Sequence, residues 1–423
     1  MPKKVYKYLS NHLYKIYMQE NTLILNKGYD SKLSAGSLVT PIFKTSTFCF
    51  NTAEEGERSF KIAYGLEAKK QNEDPCLIYS RVNNPNMEIL EDKLSVLDNT
   101  DKSLVFSSGM GAISNTCITF LKPGDTLLFN EPVYGGSEYL FNVLLPQFKI
   151  NCISFKCGIN GNDLKNIIKN YNNVKMIYIE TPCNPLTTLT SISDIKNNIP
   201  DDILIVVDNT FNGPIFLKPI NLGADLVLYS MTKFIGGHSD LIAGCVSGKE
   251  DLINQIKVTR TIIGTILDPD TCWLVQRSLS TLKLRMNEQC KNAKQLVSFL
   301  LRSNHVKNVF YPGLSIDTYQ LEIFKKEYND SGSLISFEIN GDKKKAFKIL
   351  NSFKIVKLAV SLGSIETLIQ HPSSMTHSDM SLDDQIKVGI NESLLRCSVG
   401  IENINDIIND FESAFNSAEH VQT

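Results

Sequence analysis

No apolar run in this 423-residue sequence approaches the ~20 residues needed to span a bilayer. Charge of one sign is missing too: 43 Lys and Arg face 45 Asp and Glu, for a net charge of −2. That balance argues against a nucleic-acid binder or an acidic-membrane binder. CxxC pairs are absent; the ten cysteines are scattered, and Cys152 and Cys157, five apart, have no matching second pair. A zinc site is therefore not expected, and dispersed thiols fit the reducing cytoplasm. The sequence has no GxxxxGK[ST] loop, no internal repeat and no low-complexity tract.

What is present is ordinary for a globular chain: 42% hydrophobic and 21% charged residues. The length suggests two or more domains. The first 26 residues carry Lys3, Lys4, Lys7 and Lys15 before any acid, without a continuous apolar stretch. They do not read as a secretory signal. Leu9, Leu13, Ile16 and Tyr17 could make a weak amphipathic helix within a mobile leader.

Short apolar segments then alternate with helical ones. A helix is expected over 84–98, with Met87, Leu90, Leu94 and Leu97 on one face and Asn84-Pro85 as its start. Strands are expected at 102–106, 175–179, 203–207 and 225–229, with a helix over 111–121. This alternation predicts an α/β fold, a mostly parallel sheet with helices on both faces. Beyond about residue 284 a long helix and a strand at 334–339 suggest a smaller α+β domain. The expected division is 1–82 as leader and inter-subunit arm, 83–283 as the large domain and 284–423 as the small one.

Ligands bind such sheets beyond the carboxyl ends of the strands, where this chain concentrates its polar residues. Ser107-Ser108-Gly109-Met110-Gly111, ETPCNP at 180–185, Asp208-Asn209-Thr210 and Ser230–Lys233 each follow a predicted strand. The first passes from strand to helix, which suits a phosphate, although it reads equally as a tight turn and does not complete GxGxxG. Asp208 ends the most apolar strand, so it either caps the next turn or meets a cation or donors. Lys233, before Gly236-Gly237, is either a solvated loop lysine or an amine available for Schiff-base chemistry. Phosphate cup, carboxylate and amine at neighbouring strand ends together match pyridoxal 5'-phosphate, which needs all three.

With these groups in these positions, the sequence resembles the Cys/Met-metabolism enzymes that use pyridoxal phosphate. The resemblance runs from about 36 to 415 and is carried by YSRVNNPN at 79–86, SSGMGAI at 107–113, EPVYGG at 131–136 and ETPCNP at 180–185. VVDNTF at 206–211, SMTKFIGGHSD at 230–240, AVSLGSIETLIQHPSSMTH at 359–377 and LLRCSVGIEN at 394–403 complete it. It implies the aspartate-aminotransferase-like (type I) fold. It also implies Lys233 as the Schiff-base lysine and proton shuttle, and Asp208 as partner of the ring nitrogen. Ser230, Thr232, Gly109 and Met110 would hold the phosphate, with Thr210 also at the cofactor. Tyr134 would stack on the ring and protonate the leaving group, with Asn184 near the ring hydroxyl. Arg396 would clamp the substrate carboxylate as a bidentate pair, with Ser361 beside it. Tyr79 and Arg81 would reach a neighbouring subunit's phosphate, which implies at least a dimer and, as the expected assembly, a homotetramer with shared active sites. His238, His371 and His377 are expected to be structural.

Family members carry out γ-elimination, γ-replacement or β-elimination on sulfur amino acids and homoserine esters. The 359–377 segment is most similar to methionine γ-lyases, which give a thiol, 2-oxobutyrate and ammonia. Those enzymes commonly carry Cys after Tyr-Gly, where this chain has Gly136; the γ-synthases and O-acylhomoserine sulfhydrylases often have YGG. The extra loop around 65–75 is a second departure. Two readings from other classes fit less well. Ser230–Lys233 fits the S-x-x-K of penicillin-binding proteins, but SDN and KTG are missing. A non-catalytic scaffold holding the cofactor would not need Lys233, Asp208, Tyr134 and Arg396 together.

Overall fold

The computed structural model describes residues 19–68, 70, 76–378 and 380–419. The expected leader helix around Leu9–Tyr17, and most of the charged 67–75 stretch, lie outside the described residues.

Seven strands form the larger sheet: β1 (Lys102–Phe106), β2 (Thr126–Glu131), β3 (Asn151–Lys156), β4 (Val174–Glu180), β5 (Leu204–Asp208), β6 (Leu226–Ser230) and β7 (Gly244–Gly248). Their order is β1-β7-β6-β5-β4-β2-β3. From β6 to β3 every pairing is parallel, whereas β7 runs antiparallel to both β1 and β6. The central strand β5, LIVVD, is buried along nearly its whole length, as a parallel strand covered on both faces must be. The two-residue period of β6 divides its side chains between cores: Val227 and Tyr229 pack on one face, Leu226 and Leu228 on the other.

Local signals set the helices that frame the site. The Pro85–Asp98 helix starts where Asn84 Oδ1 accepts from Asn86 N at 2.9 Å and stops at left-handed Asn99. It buries Met87, Leu90, Leu94 and Leu97, the stripe expected from the sequence. The Gly109–Phe120 helix begins two residues earlier than expected, because Ser108 Oγ caps it by accepting from Gly111 N at 2.9 Å.

A second sheet has the order β10-β11-β12-β9-β8. Its strands are β8 (Val306–Phe310), β9 (Leu334–Ile339), β10 (Lys357–Leu358), β11 (Leu368–Gln370) and β12 (Leu394–Ser398). Only β10 and β11 are parallel. The Leu282–Leu300 helix joins the two halves: Leu282, Met286 and Cys290 pack in the large core, and Ala293, Leu296 and Leu300 in the small one. The fold is thus α/β, a mostly parallel sheet with a smaller α+β unit. Among the described residues no helix is long and apolar enough to cross a membrane, and no group of three or more His, Cys, Asp or Glu could hold a metal ion.

Candidate active site

Sheet register brings the expected strand ends together. Glu180 of β4 pairs with Asp208 of β5, and β6 ends at Ser230 beside them. Gly244 of β7 pairs with both Ser230 and Phe106. A Cβ at Gly244 would lie 2.2 Å from Ser108 O, so only glycine lets the 107–111 turn close over the sheet next to Ser230.

Asp208 is buried and held by three donors. Its Oδ1 accepts from Thr210 N at 3.0 Å and Thr210 Oγ1 at 2.6 Å, and its Oδ2 from Tyr178 OH at 2.9 Å. Burial raises its pKa, opposed by Thr210 and Tyr178. Thr210 therefore buttresses the carboxylate, and its Oγ1 also accepts from Ser230 N at 2.9 Å. Thr232 Oγ1 accepts from Ala243 N at 3.1 Å. A Cβ on Gly109 would come within 2.9 Å of Ser230 Cβ and 3.1 Å of Ser230 Oγ. Gly109 and Met110 open the helix, where backbone N–H groups lack intrahelical acceptors.

Lys233 lies in the turn after β6, and its Nζ donates to Ser361 Oγ at 2.6 Å. Burial, then the Arg396 charge, pushes its pKa down to about 8. Ser361 has φ +86°, a conformation costly for a residue with a Cβ and characteristic of functional sites. Its carbonyl accepts from Arg396 Nη2 at 2.8 Å, and Asn184 Oδ1 accepts from Arg396 Nη1 at 2.8 Å. Arg396 is 3% exposed, and among the described residues no carboxylate lies within ion-pair distance of it. Burial lowers its pKa to about 10. A buried guanidinium with only neutral partners can accept an anion.

Tyr134 is 50% exposed, and its ring folds over its own backbone: a Cβ at Gly136 would lie 2.6 Å from Tyr134 Cε1. Its amide donates to Glu180 Oε2 at 2.8 Å. Tyr79 and Arg81 are not brought to this cluster within one chain. Both are exposed; Arg81 lies 5.9 Å from the centroid of the Tyr79 ring and donates to Thr261 O at 2.6 Å. His238 Nδ1 bonds Gly236 O at 2.7 Å. His371 bonds Ser374 Oγ and Glu392 O, each at 2.8 Å. These are turn-supporting contacts.

Three participants escaped sequence reasoning. Tyr178 reads as an apolar strand residue, and only register aims its hydroxyl at Asp208. Glu180 opens ETPCNP, and only the fold brings the Tyr134 and Asn184 amides to its carboxylate. Gln370, with its amide oxygen turned toward the guanidinium, accepts from Arg396 Nη2 at 3.0 Å; only the β11–β12 register, which pairs it with Arg396, brings it there.

The donor set fits pyridoxal 5'-phosphate. A glycine-opened helix N-terminus beside a hydroxyl suits the phosphate. A buried carboxylate suits a protonated ring nitrogen, and an amine of lowered pKa suits the aldehyde. The absence of a side chain at Gly109 lets the helix start pack directly against Ser230.

Comparison with known proteins agrees. The family model for Cys/Met metabolism PLP-dependent enzymes matches residues 21–416. An L-methionine gamma-lyase of Fusobacterium nucleatum is 40% identical over 383 residues, 89% of this chain and 93% of that protein. A cystathionine beta-lyase of Lactococcus lactis is 35% identical, covering 93% and 98%. The crystal structure of cystathionine gamma synthase from Xanthomonas oryzae, in complex with aminoacrylate and cysteine, superposes with a TM-score of 0.85 at 31% identity, covering 95% and 99%. The chain therefore belongs to the Cys/Met-metabolism family of pyridoxal-phosphate-dependent enzymes and has carbon–sulfur lyase or transferase activity in sulfur-amino-acid metabolism.

Proposed function

We propose that the protein catalyses γ-elimination on L-methionine or a close analogue, releasing a thiol, 2-oxobutyrate and ammonia. The observation that carries this reading is the shared tether on Ser361. The Lys233 amine and the Arg396 guanidinium bond the same residue, at 2.6 and 2.8 Å. A carboxylate held by Arg396 thereby presents its α-carbon to the amine. Similarity to L-methionine gamma-lyases adds support.

Pyridoxal phosphate, when bound, supplies an electron sink for charge developing next to the amino group. Ser230, Thr232 and the Gly109 and Met110 amides would hold its phosphate, Asp208 would keep its ring nitrogen protonated, and Asn184 would face its ring hydroxyl. Lys233 would anchor it and then carry protons between substrate carbons. Arg396 orients the substrate through its carboxylate. The Tyr134 hydroxyl gives its proton to the departing sulfur. Tyr79 and Arg81, exposed in the single chain, would complete the phosphate site of a neighbouring subunit in a homotetramer.

A second reading, γ-replacement on an O-acylhomoserine, is favoured by Gly136. That glycine leaves the Tyr134 ring folded back, with nothing beyond Cα at position 136. One panel separates the readings: methionine, cysteine, cystathionine and acylated homoserines, with thiol and keto acid measured separately. Methanethiol from L-methionine alone supports elimination. Cystathionine formed from an acylated homoserine and cysteine, with no thiol from methionine, supports replacement.

A further inference from the structure

Glu180 has no part in the roles above, yet it joins them. It ends β4, is 4% exposed, and spends one oxygen on each of two backbone amides. Tyr134 N donates to Oε2 at 2.8 Å and Asn184 N to Oε1 at 3.0 Å. Those amides open different loops, one after β2 and one after β4. The Glu180 backbone is itself locked to Asn130 at the end of β2: Glu180 N donates to Asn130 Oδ1, and Asn130 Nδ2 to Glu180 O, both at 2.8 Å. The path continues through Asn184, whose Oδ1 accepts from Arg396, to Ser361 and Lys233.

A carboxylate here is expensive. Burial and the neighbouring Asp208 push the Glu180 pKa well up, against the two amides. A neutral acceptor would avoid that cost if one acceptor sufficed. Two converging N–H donors need an acceptor at both atoms, which the two oxygens of a carboxyl group offer and an amide does not.

We propose that Glu180 is a positioning residue for the reaction, fixing the separation between the Tyr134 acid and the Arg396 clamp by holding the Tyr134 and Asn184 amides on one carboxylate. The proposal rests on the roles given above to Tyr134 and Arg396.

The test is a double-mutant cycle on the holoenzyme, read with whichever substrate of the panel the wild type turns over fastest. Failure of the methionine reading therefore leaves the test intact. Glu180→Gln keeps shape but turns an N–H₂ toward one of the two amides. We expect cofactor absorbance and Tm near wild type and kcat about 100-fold lower. In a Tyr134→Phe background the same change should lower kcat less than about 3-fold, because the group it positions is gone. A purely structural role would give the same loss in both backgrounds and would overturn the proposal, as would wild-type kcat and KM in Glu180→Gln. If Glu180→Gln does not fold, Glu180→Asp, one methylene short of both amides, is read in the same cycle. If Tyr134→Phe alone leaves kcat unchanged, the acid role fails by itself. The cycle with Arg396→Lys, read in KM, then decides: coupling supports the proposal and additivity overturns it.

Discussion

Lys233 and Arg396 are bonded to opposite ends of one residue: the amine to the side chain of Ser361 at 2.6 Å, the guanidinium to its carbonyl at 2.8 Å. The φ of +86° at Ser361 turns hydroxyl and carbonyl toward two different cations. Proton carrier and carboxylate clamp are thus linked through a single residue.

Removing the hydroxyl should free only the amine. A hydrogen bond to a charged group contributes about 1.5–3 kcal/mol, so Ser361→Ala should lower kcat about 10- to 100-fold. KM should change much less, because the carbonyl to Arg396 remains. Steady-state kinetics on the preferred substrate read both constants; a rise in KM with unchanged kcat would contradict this split.

Arg396→Lys should act on binding. Lysine keeps the charge but cannot bond Asn184 and the Ser361 carbonyl while presenting a fork to a carboxylate. KM for the amino acid should rise about 100-fold or more, while cofactor absorbance stays that of the wild type. Equal KM values would show that the carboxylate binds elsewhere.

Gly136→Ala tests the Tyr134 position. The added Cβ would stand 2.6 Å from Tyr134 Cε1 and 3.1 Å from Met110 Sδ, so the ring must move. We expect kcat to fall about 10-fold or more, while exchange of the substrate Cα proton for solvent deuterium, which needs Lys233 and not Tyr134, is retained. Parallel loss of exchange and turnover would mean that the ring serves more than the leaving group.

The pH dependence of cofactor loading follows from Lys233. Only the neutral amine attacks an aldehyde, and its pKa is lowered to about 8. The neutral fraction is about 1% at pH 6 and about 90% at pH 9. The rate at which apo-protein takes up pyridoxal phosphate should therefore rise about tenfold per pH unit below 8 and level off above it. A rate still climbing steeply past pH 9 would indicate an ordinary lysine.

Much of this site was legible because its parts sit where apolar strands stop: Asp208 after LIVV, Lys233 in the turn after LVLYS. The apolar runs fixed those strands to within a residue. β7 was not legible, since glycines at both ends of GCVSG and an antiparallel direction break the strand–helix alternation. Nor were the β11 and β12 strands that carry Gln370 and Arg396, three and five residues long. Glu180 and Tyr178 stayed hidden for another reason: their importance lies in which neighbour the register gives them, and one strand's sequence does not state its register.

The most direct test is borohydride reduction of the coloured holoenzyme, followed by peptide mass mapping. The account predicts one pyridoxyl adduct per chain, on Lys233, and none in Lys233→Ala. An adduct on another lysine, or none in a protein that still turns over its substrate, would contradict it.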